Sequence, residues 1–390
     1  MKSKIGLWAL LTGLVLSHSA MAQDSNSSAL QSASFLKLEP VSARPFNFTG
    51  NWKFDIGGGN AQEGKDTWSA GYLYFWSNLD FKFNSQLRAH ILPYGRLYGG
   101  RAQERWDDDS LDSRVGVGDA IVAWEPLKVV ELKGGIHSQS IVNQPMLVSN
   151  LRSFPGAQEI FKAEAYGVTG RLIFQQVIPH SYSLNTERMK QETLPWFKTE
   201  HAEIEGKQFG WLEWKAKGGL YEWSDIPSKV AFESIRLGNS GDNATVANSR
   251  FNFRHQGWFG GGSLCYCAND SSVNLIGEFD RVHNSRAPGN AADAQMWGLG
   301  PKIKWKGTEL TVLYHSYFIE SDATIAAYNK SRLGNTNRIG HHLEASLHFV
   351  DQHFMLYAEM YQAKPINDRD VDQRNMQQFY LGLETDYVSF

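Results

Sequence analysis

Long stretches of this chain alternate apolar and polar residues one by one, and this pattern constrains the fold more than any other feature. Residues 46–56 place three phenylalanines and Trp52 on one side, with Lys53 and Asp55 on the other. A period of two is typical of β-strands, whose successive side chains point to opposite faces. Sixteen such stretches can be delimited, and they predict an all-β, antiparallel fold.

The connections between the predicted strands alternate in length. Turns of two or three residues are followed by loops of about ten to twenty-five residues, provided that residues 159–178 are two short strands. Antiparallel transmembrane barrels have short periplasmic turns and long extracellular loops. The sequence therefore predicts a transmembrane β-barrel of about sixteen strands over residues 46–390, rather than a soluble sandwich.

The composition agrees with a barrel in a membrane. The chain contains 13 Trp, 15 Tyr and 22 Phe, yet its mean hydropathy is negative. A barrel carries its apolar residues at one position in two and concentrates aromatic residues near the strand ends. Cys265 and Cys267 lie two apart on a predicted strand, about 6.5–7 Å between Cα atoms, which favours free thiols over a disulfide.

The beginning of the chain predicts export. Lys2 and Lys4 precede an apolar run over residues 5–16, and small residues follow at positions 20–22. This pattern is typical of a cleaved secretory signal peptide, predicted over residues 1–22. Residues 23–45 are rich in Ser and Ala and are interpreted as a flexible lead-in.

The last stretch, residues 377–390, is the predicted closing strand. Phe379, Leu381 and Leu383 share one face, but the terminal Phe390 falls in the opposite phase. Two explanations remain open: a β-bulge near Tyr387 resets the alternation, or the last residues lie beyond the strand.

Two features resemble Gram-negative outer-membrane porins. The closing strand ends in an aromatic residue, and residues 119–136 are similar to a porin hairpin with an aromatic–charged–Pro turn at Trp124, Glu125 and Pro126. The resemblance implies a passive channel in the cell outer membrane, reached through the periplasm, in contact with lipid and lipopolysaccharide. It also implies a homotrimer and a loop after an early strand that folds into the lumen.

Residues 138–158 occupy the place of that loop. They include the apolar residues Ile141, Met146 and Leu147. Lipid cannot accept the irregular backbone of a loop, whereas the inner wall of a barrel can. We expect this segment to form the constriction, with Asn150 and Arg152 directed towards Arg88 and Arg96. An outward lid is the alternative.

Charged residues on the polar faces of the strands predict the pore lining. Charged side chains around a pore set its ion preference. The predicted set consists of Lys53, Asp55, Arg88, Arg96, Arg171, Lys302, Lys304, Glu344 and Glu384.

No catalytic, cofactor or metal motif is recognisable. The chain has no phosphate-binding loop, zinc-protease helix or nucleophile elbow, and His342 and His348 lie about 20 Å apart along one strand. The acidic segment 104–112 is interpreted as a solvated loop, with a cation bridge to lipopolysaccharide as alternative. We expect a non-enzymatic porin for small hydrophilic solutes or ions, with no nucleic-acid partner. The alternatives are an anion- or oligosaccharide-specific channel and a structural, adhesive or hydrolytic barrel.

Overall fold

A computed structural model describes residues 46–102, 113–179, 193–242, 245–267, 272–367 and 373–390, all within the unit Arg44–Phe390. The predicted signal peptide, the lead-in and the acidic segment 104–112 lie outside these residues. No helix in the described parts of the chain is long and apolar enough to cross a membrane.

Sixteen antiparallel strands form one closed barrel, as the sequence predicts. Each strand pairs with the strand before and after it in the chain, and β16 pairs with β1 to close the sheet. The strands are β1 (Asn47–Glu63), β2 (Asp66–Lys82), β3 (Leu87–Ala102), β4 (Arg114–Leu127), β5 (Val130–Ser138), β6 (Ser153–Ala165), β7 (Val168–Val177), β8 (Trp196–Gln208), β9 (Leu212–Ser224), β10 (Gln256–Tyr266), β11 (Val273–Asn284), β12 (Asp293–Trp305), β13 (Thr308–Ile319), β14 (Arg338–Phe349), β15 (Phe354–Pro365) and β16 (Met376–Thr385).

The alternation of each strand separates an apolar outer face from a polar inner face. On β12, Leu299 is 51% exposed on the outside, whereas Met296 is buried on the inside. Closure leaves no unpaired strand edge, which a bilayer cannot solvate. The outer face carries exposed apolar side chains on strands around the barrel, among them Phe54, Leu97, Leu172, Leu220, Leu264, Phe279, Leu343 and Leu381.

Connections at the two ends of the barrel differ in length. Even-numbered strands end in short turns, such as 128–129, 166–167 and 306–307. Most odd-numbered strands lead into longer loops, including 139–152, 225–255 and 320–337, but β1 is joined to β2 by residues 64–65 alone. The predicted split of residues 159–178 into two strands is confirmed, although the turn lies at Tyr166 and Gly167.

Some predicted boundaries are wrong. The Gly-rich stretch after Ile56 is not a loop, because Gly57 and Gly59 continue β1 and lie beneath the rings of Tyr72 and Tyr380. Residues 153–158 belong to β6 rather than to the preceding loop. The register of β3 shifts at Pro93, and helix α1 spans Ser228–Arg236 directly after Pro227.

The closing strand contains the bulge that its sequence allows. Asp55 pairs with Glu384, whereas Trp52 pairs with Val388, so three steps along β1 match four steps along the last strand. One extra residue between them resets the alternation. Val388–Ser389 continues the pairing with β1, and the backbone nitrogen of Phe390 donates to the carbonyl of Gly50 (3.0 Å).

The prediction of free thiols is also wrong, because Cys265 and Cys267 form a disulfide. Strand β10 ends at Tyr266, so Cys267 lies beyond the extended strand. The Cα atoms are 5.3 Å apart, closer than two residues of a regular strand.

Candidate functional site: the lumen and its inserted loops

Loop 139–152 packs against the inner wall of the barrel. Its Val142, Met146 and Leu147 are fully buried. Gln144 donates from Nε2 to Asp280 on β11 (3.3 Å), and Lys217 on β9 donates to the carbonyl of Asn143. The wall residues belong to the inner face, so this loop occupies the lumen.

Loop 320–337 lies against loop 139–152, and backbone hydrogen bonds join the two. The nitrogen of Ser149 donates to the carbonyl of Tyr328 (2.8 Å), and the nitrogen of Lys330 donates to the carbonyl of Pro145 (2.9 Å). Arg152 donates from Nη2 to the carbonyl of Ala327 (2.8 Å). The two loops therefore form a single body, which we call the loop plug.

Aromatic side chains attach the loop plug to the wall. The ring of Tyr328 stacks on Trp223 of β9, with ring centroids 4.8 Å apart, and Trp223 stacks on Phe197 of β8 at 3.9 Å. Phe154 at the start of β6 meets both Trp223 and Tyr328 edge-on. Such contacts add packing energy beyond the buried area, so they stabilise the loop plug against the wall.

Loop 225–255 also binds the loop plug, through contacts with loop 320–337. Asn239 donates from Nδ2 to the carbonyls of Ser321 (2.5 Å) and Thr324 (2.7 Å), and its Oδ1 accepts from the nitrogen of Ala326 (2.8 Å). Val230 and Ile235 of α1 are buried. A helix that carries buried apolar residues on one face needs such a partner surface.

The wall made by β1, β2, β3 and β15 is lined by aromatic rings. Tyr74 and Trp76 stack with centroids 5.0 Å apart, and the hydroxyl of Tyr74 lies 2.6 Å from that of Tyr98. Tyr357 on β15 donates to Asp55 (2.9 Å). This wall therefore presents aromatic rings and hydroxyl groups to the lumen.

The predicted pore-lining residues all lie on the inner face, but the structure distributes them among separate ion pairs. Lys53 donates to Glu384 (2.7 Å), and Arg171 donates to Glu205 (3.0 Å). Lys302 and Lys304 share Glu309 beside turn 306–307, at 2.5 and 3.4 Å. Arg88 meets Glu131, and Arg96 is buried beside the ring of Tyr98. Within the predicted set, Lys53, Asp55 and Glu384 come together across the β16–β1 pair, and Lys302 and Lys304 come together at Glu309.

The predicted constriction residues Asn150 and Arg152 make contacts that hold the loop plug together. The carbonyl of Asn150 accepts from the hydroxyl of Ser138 (3.1 Å), and Arg152 binds Ala327. Glu344, on β14, faces a cavity beside the loop plug. Their roles in permeation stay predictions.

That cavity has a volume of about 220 Å³ and lies between the loop plug and strands β9 to β14. Lys215, Lys217 and Lys330 supply three ammonium groups, and Glu278, Asp280 and Glu344 supply three carboxylates. His315, His342, Asn143 and Ser263 also contribute to the polar lining. Burial lowers the pKa of Lys330, because desolvation penalises its charged form.

Sequence reasoning missed the contribution of loop 320–337. Its Lys330 lines the cavity, and its Arg332 donates to Glu359 on β15 (2.7 Å) and lies over the ring of Tyr380 (4.0 Å). Burial opposes the charged form of Arg332, yet Glu359 raises its pKa. The sequence signal for an inserted loop was the pair of large apolar residues Ile325 and Leu333, which are buried in the structure. Large apolar side chains of this kind are most often found inside a protein rather than in an exposed loop.

The described residues contain no group of three or more His, Cys, Asp or Glu side chains that could hold a metal ion.

Solved structures show the same fold. Pseudomonas putida OprB, in its high-pH structure, matches 88% of this chain and 94% of its own, with a TM-score of 0.56 and 12% identity. An anion-selective porin from Comamonas acidovorans matches 89% of this chain and all of its own (TM-score 0.50, 10% identity). A loop L8 deletion mutant of OmpT, an outer membrane protein of Vibrio cholerae, matches 89% and 100% (TM-score 0.51, 12% identity).

Comparison by sequence adds nothing to this likeness. No protein-family model matches the chain, and the comparison with curated proteins gives no match. At these identities the likeness concerns the fold: this chain has the sixteen-stranded barrel of the outer-membrane porins.

Proposed function

We propose that this chain is a porin: a barrel in the cell outer membrane whose water-filled lumen lets small hydrophilic solutes and ions diffuse passively. One observation carries the proposal. The outer face is apolar on strand after strand, whereas the inner face carries charged side chains at several depths, and charges of this density require water. A barrel of about sixteen strands is wide enough to enclose an aqueous channel.

The loop plug supports a narrowed channel rather than an open cylinder. It packs against Phe197 and Trp223 of β8 and β9 and reaches Glu359 of β15 through Arg332, so it narrows the lumen. Solute size is then limited by the distance between the loop plug and the opposite wall. Charge pairs along the inner face, such as Lys53 with Glu384, contribute to ion preference.

The decisive experiment is planar-bilayer conductance of the full chain purified in detergent. We expect discrete, voltage-independent current steps in KCl that appear one unit or a small multiple at a time. A folded protein that inserts and never produces steps would instead be a structural or adhesive barrel. Reversal potentials in a KCl gradient would give the ion preference.

The loop plug gives a second test. Replacing residues 143–149 by two glycines should widen the passage and raise the single-channel conductance, because Met146, Leu147 and Val148 leave the lumen. Shortening 143–149 is preferable to a longer deletion, since residues from Ser153 onwards form β6. Unchanged conductance in a folded variant would place the current path away from this loop.

The remaining parts of the proposal have their own measurements. Removal of residues 1–22 on export predicts Gln23 as the first residue of the mature chain. Contact with lipopolysaccharide and assembly into a trimer are proposed from the resemblance to porins, and mass spectrometry from native membranes would report both. We propose no catalytic role, and an esterase assay on the conducting protein tests this.

A further inference from the structure

Two histidines at the back of the cavity are stacked and buried. His315 on β13 and His342 on β14 are cross-strand partners, with ring centroids 5.2 Å apart and planes 11° from parallel. His342 also stacks on Tyr361, at 4.0 Å. Their side chains are only 6% and 5% exposed, so the imidazole nitrogens have little access to bulk water.

Each histidine leaves one ring nitrogen unused among the described residues. His315 uses Nε2 for Glu278 (3.3 Å) but has no partner at Nδ1, and His342 has none at Nε2. The Nε2 atom of His342 lies 4.0 Å from the carboxylates of both Glu344 and Glu359, too far for a hydrogen bond. A buried polar atom without a partner is costly, and a bound polar group would satisfy it.

Two charges in the cavity also lack counter-ions. Lys217 pairs with Asp280 (3.0 Å), and Lys215 lies 3.6 Å from Glu203. Lys330, by contrast, forms no ion pair with a described carboxylate, and Glu344 forms none with a described Lys or Arg. Lys330 contacts the face of Tyr361 instead, 5.6 Å from the ring centroid. One ammonium and one carboxylate that line the same cavity as His342 therefore remain available to a bound solute.

We propose that this cavity binds a small zwitterion of the α-amino acid type. Lys330 and the Nε2–H of His342 hold the carboxylate of the solute, and Glu344 holds its ammonium group. The proposal rests on the proposed channel function, because the solute reaches the cavity through the lumen.

Charge and size favour a zwitterion over the other solute classes. A simple anion would lie beside Glu344, and a simple cation would lie beside Lys330, so each would meet a like charge in a shielded space. The volume of about 220 Å³ lies below the roughly 300–1,000 Å³ of sites for drug-sized ligands, which favours one small solute over an oligosaccharide. Charge-assisted hydrogen bonds at both ends of the solute fix its orientation in the cavity.

Calorimetric titration of the full chain in detergent tests the proposal, with L-alanine as probe. Propionate and ethylamine are the half-ligands, which carry only the carboxylate or only the ammonium. We expect saturable binding of L-alanine and at least tenfold weaker binding of each half-ligand. Lys330→Met and Glu344→Gln should each weaken L-alanine binding about tenfold or more, because each removes one charge-assisted contact.

Lys304→Met is the matched control, since Lys304 also lies on the inner face but is paired with Glu309 outside the cavity. It should bind L-alanine as the unmodified chain does. If Lys330→Met does not fold, Glu344→Gln decides alone, because Glu344 makes no hydrogen bond with a described residue.

The outcomes separate this proposal from the channel function. Absence of saturable L-alanine binding, or equal binding in both cavity variants, overturns the zwitterion site even when the barrel conducts. Equal binding of propionate and L-alanine overturns it as well, in favour of an anion site. Retained L-alanine binding in a barrel that never conducts overturns the channel function and leaves the site standing.

Discussion

The hydroxyl oxygens of Tyr72 and Tyr357 lie 2.6 Å apart and join β2 to β15 across the seam at which the barrel closes. The two intervening strands contribute Gly57 and Gly382, which are paired with each other in register. Each ring lies flat over one glycine, and a Cβ atom built on Gly57 would be 2.7 Å from the hydroxyl of Tyr72. The hydrogen bond therefore depends on two positions without side chains.

Substitution of either glycine should weaken the seam. In Gly57→Ala or Gly382→Ala the new methyl group meets a tyrosine ring at less than van der Waals distance. Such overpacking costs about 1–3 kcal/mol, and we expect the temperature of the heat-dependent electrophoretic shift to fall. Gly71→Ala is the control, because its Cβ meets nothing closer than 3.7 Å. Equal shifts for Gly57→Ala and Gly71→Ala would refute the steric explanation.

A buried ion pair holds two loops to β1. Arg338 and Glu63 are 1% and 4% exposed at their side chains, and Arg338 also donates to the carbonyls of Gly334 and Arg374. Glu63→Ala leaves this guanidinium buried without its carboxylate, which should cost about 3–5 kcal/mol. Urea denaturation measures the loss.

Lys207 with Glu213 is the exposed counterpart, at 3.0 Å. Glu213→Ala should change stability by less than about 1 kcal/mol, since exposed pairs contribute little. A similar effect for both substitutions would show that burial does not govern the Arg338 pair.

Acid should loosen the contact between loops 225–255 and 320–337. Burial lowers the pKa of His255 to about 3, although a hydrogen bond with the backbone of Thr324 opposes the shift. Because the folded pKa lies below the unfolded value of 6.5, the stabilisation is complete above pH 6.5 and is lost as the pH falls towards 3. At pH 5 the loss is about 2 kcal/mol.

Amide hydrogen exchange in these loops, compared at pH 5 and pH 7.5 after correction for intrinsic rates, measures this effect. In His255→Gln the pH dependence should disappear, because glutamine does not titrate. A variant that keeps the full pH dependence would assign it to another group.

A charged side chain in the middle of a strand on the outer face should destabilise the folded barrel. Leu299 lies in the middle of β12 and is half exposed on the apolar side. Leu299→Arg should cost about 2–4 kcal/mol of folding free energy in lipid vesicles. Thr311→Arg, on the inner face of the adjacent β13, should be tolerated because water solvates it. The opposite ranking would contradict the assignment of the two faces.

The local alternation of the chain was enough to predict the barrel. Period-two patterning fixes which side of a strand faces lipid, and the alternation of turn and loop lengths fixes strand order and direction. Even the interruption at Pro93 was readable, because proline cannot donate to the sheet. These features depend on neighbouring residues only, and so a sequence carries them directly.

The contacts between the residues of the candidate site could not be predicted from local patterns in the same way. The sequence predicted that Lys53, Asp55 and Glu344 line the lumen, but not that Lys53 and Glu384 pair across the closing seam. Nor does it show that His315 and His342 stack, because only the register of β13 with β14 brings the two rings together.

What the sequence by itself determined is the strand pattern, the faces and the closed architecture, because each follows from the chemistry of consecutive residues. Only the tertiary structure decided that loop 320–337 enters the lumen, that Lys330 and Glu344 line one cavity, and that Arg152 binds Ala327. A loop has no periodicity to encode its direction. Its position depends on buried contacts with residues far away in the chain, such as Tyr328 with Trp223.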